Sequence, residues 1–232
     1  DRNKEQPPFG VDFDHVDIPD AYITGNGLSL IGDSVSAELK MMRFSDHSGF
    51  AVSGMSGSTT VSKHGIDVLG MDLRTPRSAL LGELHMMAEG WSDFNEFTSA
   101  VYMKVDLDGS VLDMGDIAWF APELEGVAVP LGISGKVRGT VAELKGRGMT
   151  ITFGRESRFE GNAELSGLPD IDNTFMLIDV DRFHTTLADV AQLPAPPFKE
   201  AGRLQLPSSV TPLEFLDAHG RFTGFLHAFT AT

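Results

Sequence analysis

The 232-residue chain contains no cysteine. It has no disulfide staple and no thiol chemistry, which excludes a small disulfide-built secreted domain and fits the bacterial envelope or the cytoplasm. Cations are scarce: 18 Lys and Arg stand against 33 Asp and Glu, a net charge of −15. Nucleic acid and anionic lipid surfaces both demand a basic patch, so neither is an expected partner. No run approaches the roughly 20 apolar residues of a membrane-spanning helix, and no signal peptide opens the chain. Catalytic signatures are missing too. The histidines at 15, 47, 64, 85, 184, 219 and 227 form no His-Glu-x-x-His and no pair at helical spacing. Nothing matches a nucleophile elbow, a phosphate loop or a dinucleotide fingerprint. In so acidic a chain, any one carboxylate pair is uninformative. The expectation is a non-enzymatic protein with no metal and no cofactor.

What the chain does have is glycine and strict alternation. Between Gly132 and Val180 four strands are expected, with turn chemistry between them. Ile133, Val137 and Val141 share one face with Gly135 and Gly139, opposite Ser134, Lys136, Arg138 and Thr140. A turn is expected at Lys145-Gly-Arg-Gly148, followed by Met149, Ile151 and Phe153 in alternation with threonines. After Gly154-Arg-Glu-Ser157, the face continues as Phe159, Gly161, Ala163 and Leu165. Gly167 to Asn173 is a third turn, and Phe175 to Val180 an apolar strand that both faces of the sheet could bury. Glycine inside a strand costs stability unless the backbone bends or approaches a neighbour closely. A curved antiparallel meander with one apolar face accounts for this pattern, and so does the corner of a closed β-sandwich.

The remaining segments read as more of the same. Residues 1–20 are a polar, extended lead-in, and 21–232 a single β-repeat segment with sub-blocks of about 21–90, 91–131, 132–192 and 193–232. The lead-in holds Asp12-Phe-Asp14-His15-Val-Asp17, whose spacing matches no standard metal site and is better read as an exposed strand. Short strands are expected around Leu28–Ile31 and Val35–Met42, with a bulge near Val68–Gly70. Around Leu80 to Met87 both faces carry apolar residues, as in a strand covered on each side. Three short helices are expected: one capped by Ser92, one at Asp116 to Pro122, and one from Thr186 to Leu193 with Asp189 at its third position. The loop around Asp170 and Asp172 is turn chemistry rather than a calcium loop. Trp91, Trp119 and Phe120 read as plugs for the end of a sheet core, or as sugar platforms in a closed surface module. The segments 135–144 and 220–229 align without a gap, Gly135 on Gly220 and Gly139 on Gly224, as in an array that stacks.

Phe120-Ala-Pro122, Gly135-Lys-Val-Arg-Gly-Thr-Val141, Gly167-Leu-Pro-Asp-Ile171 with Thr174-Phe175, and Gly220-Arg-Phe-Thr-Gly-Phe225 together resemble the TamB family. The likeness is to its Bacteroidota-type branch within the AsmA-like group, and Leu73 to Ser78 and Asp93 to Phe97 fit the same pattern. The resemblance covers about Ile18 to the C-terminus. It implies an elongated open β-trough belonging to a longer periplasmic protein held in the inner membrane of a Gram-negative cell. A chain that begins without Met and carries neither anchor nor C-terminal domain is then an internal segment. The implied activity is conduction of phospholipid between the two membranes in support of outer-membrane biogenesis. Phospholipid acyl chains are the implied ligand, and a barrel of the TamA or BamA type the implied partner through regions outside this segment. On that reading Ile133, Val137, Val141, Met149, Ile151, Phe153, Phe159, Ala163 and Leu165 line the groove. Gly135, Gly139, Gly161, Gly220 and Gly224 supply its curvature. Open sheet edges also predict edge-to-edge self-association.

Overall fold

A computed structural model describes residues 9–10, 18–121, 124–194, 202–203 and 214–232. Its strands are β1 (Asp20–Ile31), β2 (Ser34–Ser45), β3 (Ala51–Ser62), β4 (Gly65–Arg74), β5 (Ala79–Met87) and β6 (Tyr102–Asp113). They continue as β7 (Pro130–Gly139), β8 (Glu143–Phe153), β9 (Ser157–Ser166), β10 (Phe175–Thr186), β11 (Phe215–Phe225) and β12 (Ala228–Ala231). All twelve form one sheet in chain order. Each neighbour is antiparallel, and β1 and β12 stay at opposite edges rather than pairing with each other. The protein is therefore mainly β, an open antiparallel meander, and the closed-sandwich alternative is overturned. The metal-like run at 12–17 lies outside the described residues.

Several local expectations change. Gly146-Arg-Gly148 is not a turn; it lies inside β8, where the ladder slips between Gly146 and Met149 and Gly148 takes φ +56°. A glycine at positive φ inside a slipped ladder marks a bulge, and the turn falls instead at residues 140–142. Val141 consequently lies beyond β7 rather than on it. The first two strands run twelve residues each, longer than their apolar centres indicated, because Asp20 to Gly25 and Met41 to Ser45 pair as well. In β5, Leu81 and Met87 are exposed on the second face, so that strand is covered on one side only. In β10, likewise, Phe175 is exposed on the face opposite Met176 and Ile178, and a single face is covered. The bulge expected near Val68–Gly70 is present as a slip between Val68 and Met71.

The helices are single turns: α1 (Phe97–Ala100), preceded by a 3₁₀ turn at Trp91–Glu96, then α2 (Met114–Ile117) and α3 (Leu187–Val190). Ser92 caps neither the 3₁₀ turn nor α1: Gly90 stands at the cap of the turn and Glu96 at that of α1, neither with a side-chain bond. The second begins before Asp116, with Asp113 as its cap accepting from the Gly115 amide at 2.8 Å. The third is capped by Thr186 as expected, its hydroxyl accepting from the Asp189 amide. None of the described helices is long and apolar enough to cross a membrane.

Helices α2 and α3 perform the same task. Each follows an even-numbered strand and sends an aspartate back to the hairpin two strands earlier. The buried Asp116 carboxylate accepts from Thr75 Oγ1 at 2.5 Å and from Ser78 Oγ, which fixes the β4–β5 turn. Asp189 accepts from the amides of Arg155, Glu156 and Ser157 at 2.9 to 3.0 Å and from Ser157 Oγ at 2.7 Å, which fixes the β8–β9 turn. These donors, the Glu156 amide foremost, favour the ionised form and hold the Asp189 carboxyl at about 2. The two clamps pin hairpin ends so that the strands between them stay in register.

Candidate binding face

Residues directly opposite one another on antiparallel strands point to the same side of a sheet, so the register sorts every side chain onto one face. The row nearest the β1–β2 turn is unbroken over all twelve strands. It runs Leu30, Val35, Val61, Ile66, Met86, Met103, Gly139, Leu144, Leu165, Met176, Gly224 and Phe229. The next row runs from Ala37 through Thr59, Val68, Leu84, Val105, Val137, Gly146, Ala163, Ile178 and Phe222 to Ala231. Neither row contains a charged residue.

A third row has a stricter pattern. It reads Gly25, Leu39, Gly57, Met71, Gly82, Leu107, Gly135, Met149, Gly161, Val180 and Gly220. Odd-numbered strands contribute glycine, and even-numbered strands a large apolar residue. Beside this row each even strand from β2 to β10 slips register. Gly82 shows why no side chain fits the odd positions: its φ is +148°, and a Cβ would run into the Asp106 carbonyl oxygen. Bulges increase local bend and twist, so a line of bulges and glycines across eleven strands is a crease. The neighbouring side chains close over it. Val68 is fully buried, Met71 and Leu107 almost so, and the three pack with Met55, Leu84, Val105 and Ile133.

The residues singled out from the sequence divide accordingly. Ile133, Val137, Met149, Ile151, Phe153, Phe159, Ala163 and Leu165 fall on this face by register, while Val141 sits in the β7–β8 turn. Gly135, Gly161 and Gly220 belong to the crease. Gly139 and Gly224 belong to the unbroken row, so the two aligned segments occupy equivalent places on β7 and β11. Trp91 follows β5 and Trp119 follows β6, which places them at opposite ends of the sheet, and no single platform can use both. Trp119 is stacked on Phe9 at 4.8 Å.

The centre of the face is filled by its own side chains, but the two flanks are not. Ile23, Leu28 and Leu30 on β1 are 64%, 78% and 73% exposed, and Phe229 on β12 is 58% exposed. Between β9 and β12 the face opens into a cavity of about 350 Å³ whose lining includes Phe159, Ile178, Val180, Phe183, Phe222 and Ala231. Sequence reading identified only Phe159 as a lining residue there. The signal for the others was interrupted at Asp181-Arg182, where the β10 bulge shifts the phase and returns Phe183 to the face of Val180.

The opposite face is mostly polar, with Leu81, Met87 and Phe175 among its exposed side chains, and carries cross-strand ion pairs, including Lys136 with Asp106 at 3.2 Å and Lys145 with Glu164 at 3.4 Å. Arg147 and Lys145 together hold the Glu164 carboxyl below its ordinary range, Arg147 contributing more. Among the described residues no cluster of three or more His, Asp or Glu is placed to hold a metal. Asp170 instead serves its own turn, accepting from the Asn173 amide and side chain. No family model, curated protein or solved structure matches the chain.

Proposed function

We propose that this chain is a non-enzymatic, TamB-like segment of a periplasmic lipid conduit, whose creased apolar face is a bed for phospholipid acyl chains. The observation that carries the reading is the unbroken uncharged row across twelve strands, open at its flanks. An acyl chain makes no hydrogen bonds and is bound by the apolar area it removes from water. The three rows, which carry no titratable side chain, suit that ligand; His219 and Arg221 stand in the lining of the β9–β12 cavity. Cavities of some 300–1,000 Å³ are usual for small-molecule sites, and the β9–β12 cavity lies within that range. The acidic balance of the chain and the ion-paired outer face keep such a body in solution. In this reading the parent protein is anchored in the inner membrane and meets a TamA- or BamA-type barrel through other regions.

The test is photo-crosslinking in cells, with the probe at Val180 and Phe222 on the inner face and at Thr223 on the outer face. Phospholipid adducts at the first two positions and none at Thr223 are expected. Adducts at all three positions, or at none while the protein is folded in the envelope, refute the reading.

A further inference from the structure

We infer that the outer face of the sheet holds a binding site for a small phosphate anion, between Lys104 on β6 and Arg138 on β7. The register carries the inference. One row of that face reads Asp67, His85, Lys104, Arg138, Lys145 and Glu164 on β4 to β9. Its ends are satisfied: Asp67 meets His85 Nδ1 at 2.7 Å, and Glu164 meets Lys145 at 3.4 Å. The two middle cations have no acid opposite them, and neither makes an ion pair among the described residues.

The acids beside this pair are turned to other basic side chains. In the adjoining row Asp106 stands opposite Lys136 and meets its ammonium at 3.2 Å, and Glu83 lies 4.0 Å from His85 Nε2. Like charges directly opposite one another repel. The chain has 33 acidic residues against 18 basic ones, yet it leaves these two cations adjacent and uncompensated. An anion from outside removes that repulsion.

The shape fits the same ligand. A cavity of about 170 Å³ opens here, lined by Glu83, His85, Lys104, Asp106, Lys136 and Arg138. Small-molecule sites begin at about 300 Å³. At about 30 Å³ per water, the space takes one tetrahedral oxyanion with part of its hydration. The Arg138 guanidinium supplies two parallel N–H bonds to two phosphate oxygens, and the Lys104 ammonium a point charge to a third. Both side chains are exposed, so the ion enters directly from water.

The phosphate comes from solution rather than from a lipid. Strands β6 and β7 are hydrogen-bonded neighbours, so a lipid whose chains lie on the inner face cannot pass its headgroup through the sheet. A net charge of −15 also repels the chain from an anionic membrane surface. The site is therefore independent of the acyl-chain reading, and either can fail without the other.

The experiment titrates the whole 232-residue chain with sodium phosphate near neutral pH, against sodium chloride at matched ionic strength, and follows backbone amide shifts by NMR. Saturable shifts centred on residues 104–106 and 136–138 are expected with phosphate and not with chloride. R138Q should weaken phosphate binding at least tenfold. K63Q removes an equal charge from a pair with Asp33 and should leave that binding unchanged. No saturable shift beyond that of chloride, equal affinity in R138Q and the native chain, or an equal loss in K63Q overturns the inference. So does capture of the native chain, but not of R138Q, on vesicles containing phosphatidic acid, which would assign the two cations to a membrane surface.

Discussion

Met149 Sδ occupies the space that a side chain on Gly135 would need: a Cβ there would lie 2.7 Å from the sulfur and 2.9 Å from the Gly148 carbonyl oxygen. One strand supplies the large residue and its neighbour supplies the gap. At Gly25, Gly57, Gly82, Gly161 and Gly220 the atom nearest to where a Cβ would sit is instead a backbone carbonyl oxygen, so the glycines are structural requirements at the odd strands rather than flexible points.

Substitution separates the two kinds of glycine. Gly135→Ala meets backbone as well as Met149 and must hold φ near +134°, so it should destabilise by about 2 kcal/mol or more. Gly146→Ala meets the Met149 side chain, Cγ at 2.9 Å and Sδ at 3.2 Å, without close backbone and without a positive φ, so it should cost less than Gly135→Ala. Urea unfolding of the two variants gives the comparison, and equal losses would mean that the crease does not depend on close backbone approach.

The clamp at the β8–β9 turn makes stability pH-dependent with a definite sign. The Asp189 carboxyl is held at about 2, below its ordinary 3.8. Its contribution is complete above about pH 4 and is lost as the pH falls toward 2, about 2 kcal/mol in all. Asp189→Asn should lower stability at neutral pH and flatten the dependence between those limits. Chemical unfolding at pH 7, 4 and 2.5 reads both effects; an unchanged slope in the variant would assign the acid sensitivity to other carboxylates.

Burial differs sharply along the apolar face, and truncation should report it. Met71 is 3% exposed within the central cluster, so Met71→Ala should cost about 2–5 kcal/mol. Leu30→Ala removes a side chain that is 73% exposed and should cost less than about 1 kcal/mol. Similar losses at both sites, measured by thermal or urea denaturation, would contradict the filled centre and open flank.

On the polar face, Lys104, Arg138 and Lys145 stand directly opposite one another on β6, β7 and β8. Lys145 has Glu164, while Lys104 and Arg138 make no ion pair among the described residues. Like charges in register repel, so salt should stabilise the native chain by screening them. Arg138→Glu should raise the melting temperature at low ionic strength and reduce the part of the salt response that this cluster supplies. A variant no more stable than the native chain in low salt would show that the three cations are already screened by solvent.

How far the fold was legible follows from the same register. Alternation in residues 132–180 located four strands and their apolar face, because period two survives wherever one side is buried. The glycines at 135, 139, 161, 220 and 224 were read as curvature positions; the register puts 135, 161 and 220 in the crease and 139 and 224 in the unbroken row. Their alternation with Leu39, Met71, Leu107, Met149 and Val180 was hidden, since it exists only across strands that are distant in sequence. Gly146-Arg-Gly148 imitated a turn because bulges and turns draw on the same glycine chemistry. The Asp116 and Asp189 clamps were equally hidden. Each reaches a hairpin about 30 to 40 residues earlier, and only the second carried its helix cap in plain sequence.

The cavity between β9 and β12 offers the most direct separation of a bed for acyl chains from a merely unfinished core. Phe222 is half-buried there, beside Phe229 at a ring distance of 4.6 Å, on a strand near the edge of the sheet. Phe222→Asp places a charge in the path of an apolar chain, whereas Thr223→Asp places the same charge on the outer face. Both residues lie on β11, next to the edge strand, so both variants should fold, which circular dichroism checks. Binding of a fluorescent fatty acid should weaken at least tenfold in Phe222→Asp, about 1.4 kcal/mol or more, and remain unchanged in Thr223→Asp. If both variants bind as the native chain does, the exposed apolar flank is not a lipid site. If both lose binding equally, the effect is one of net charge, and the cavity has no part in it.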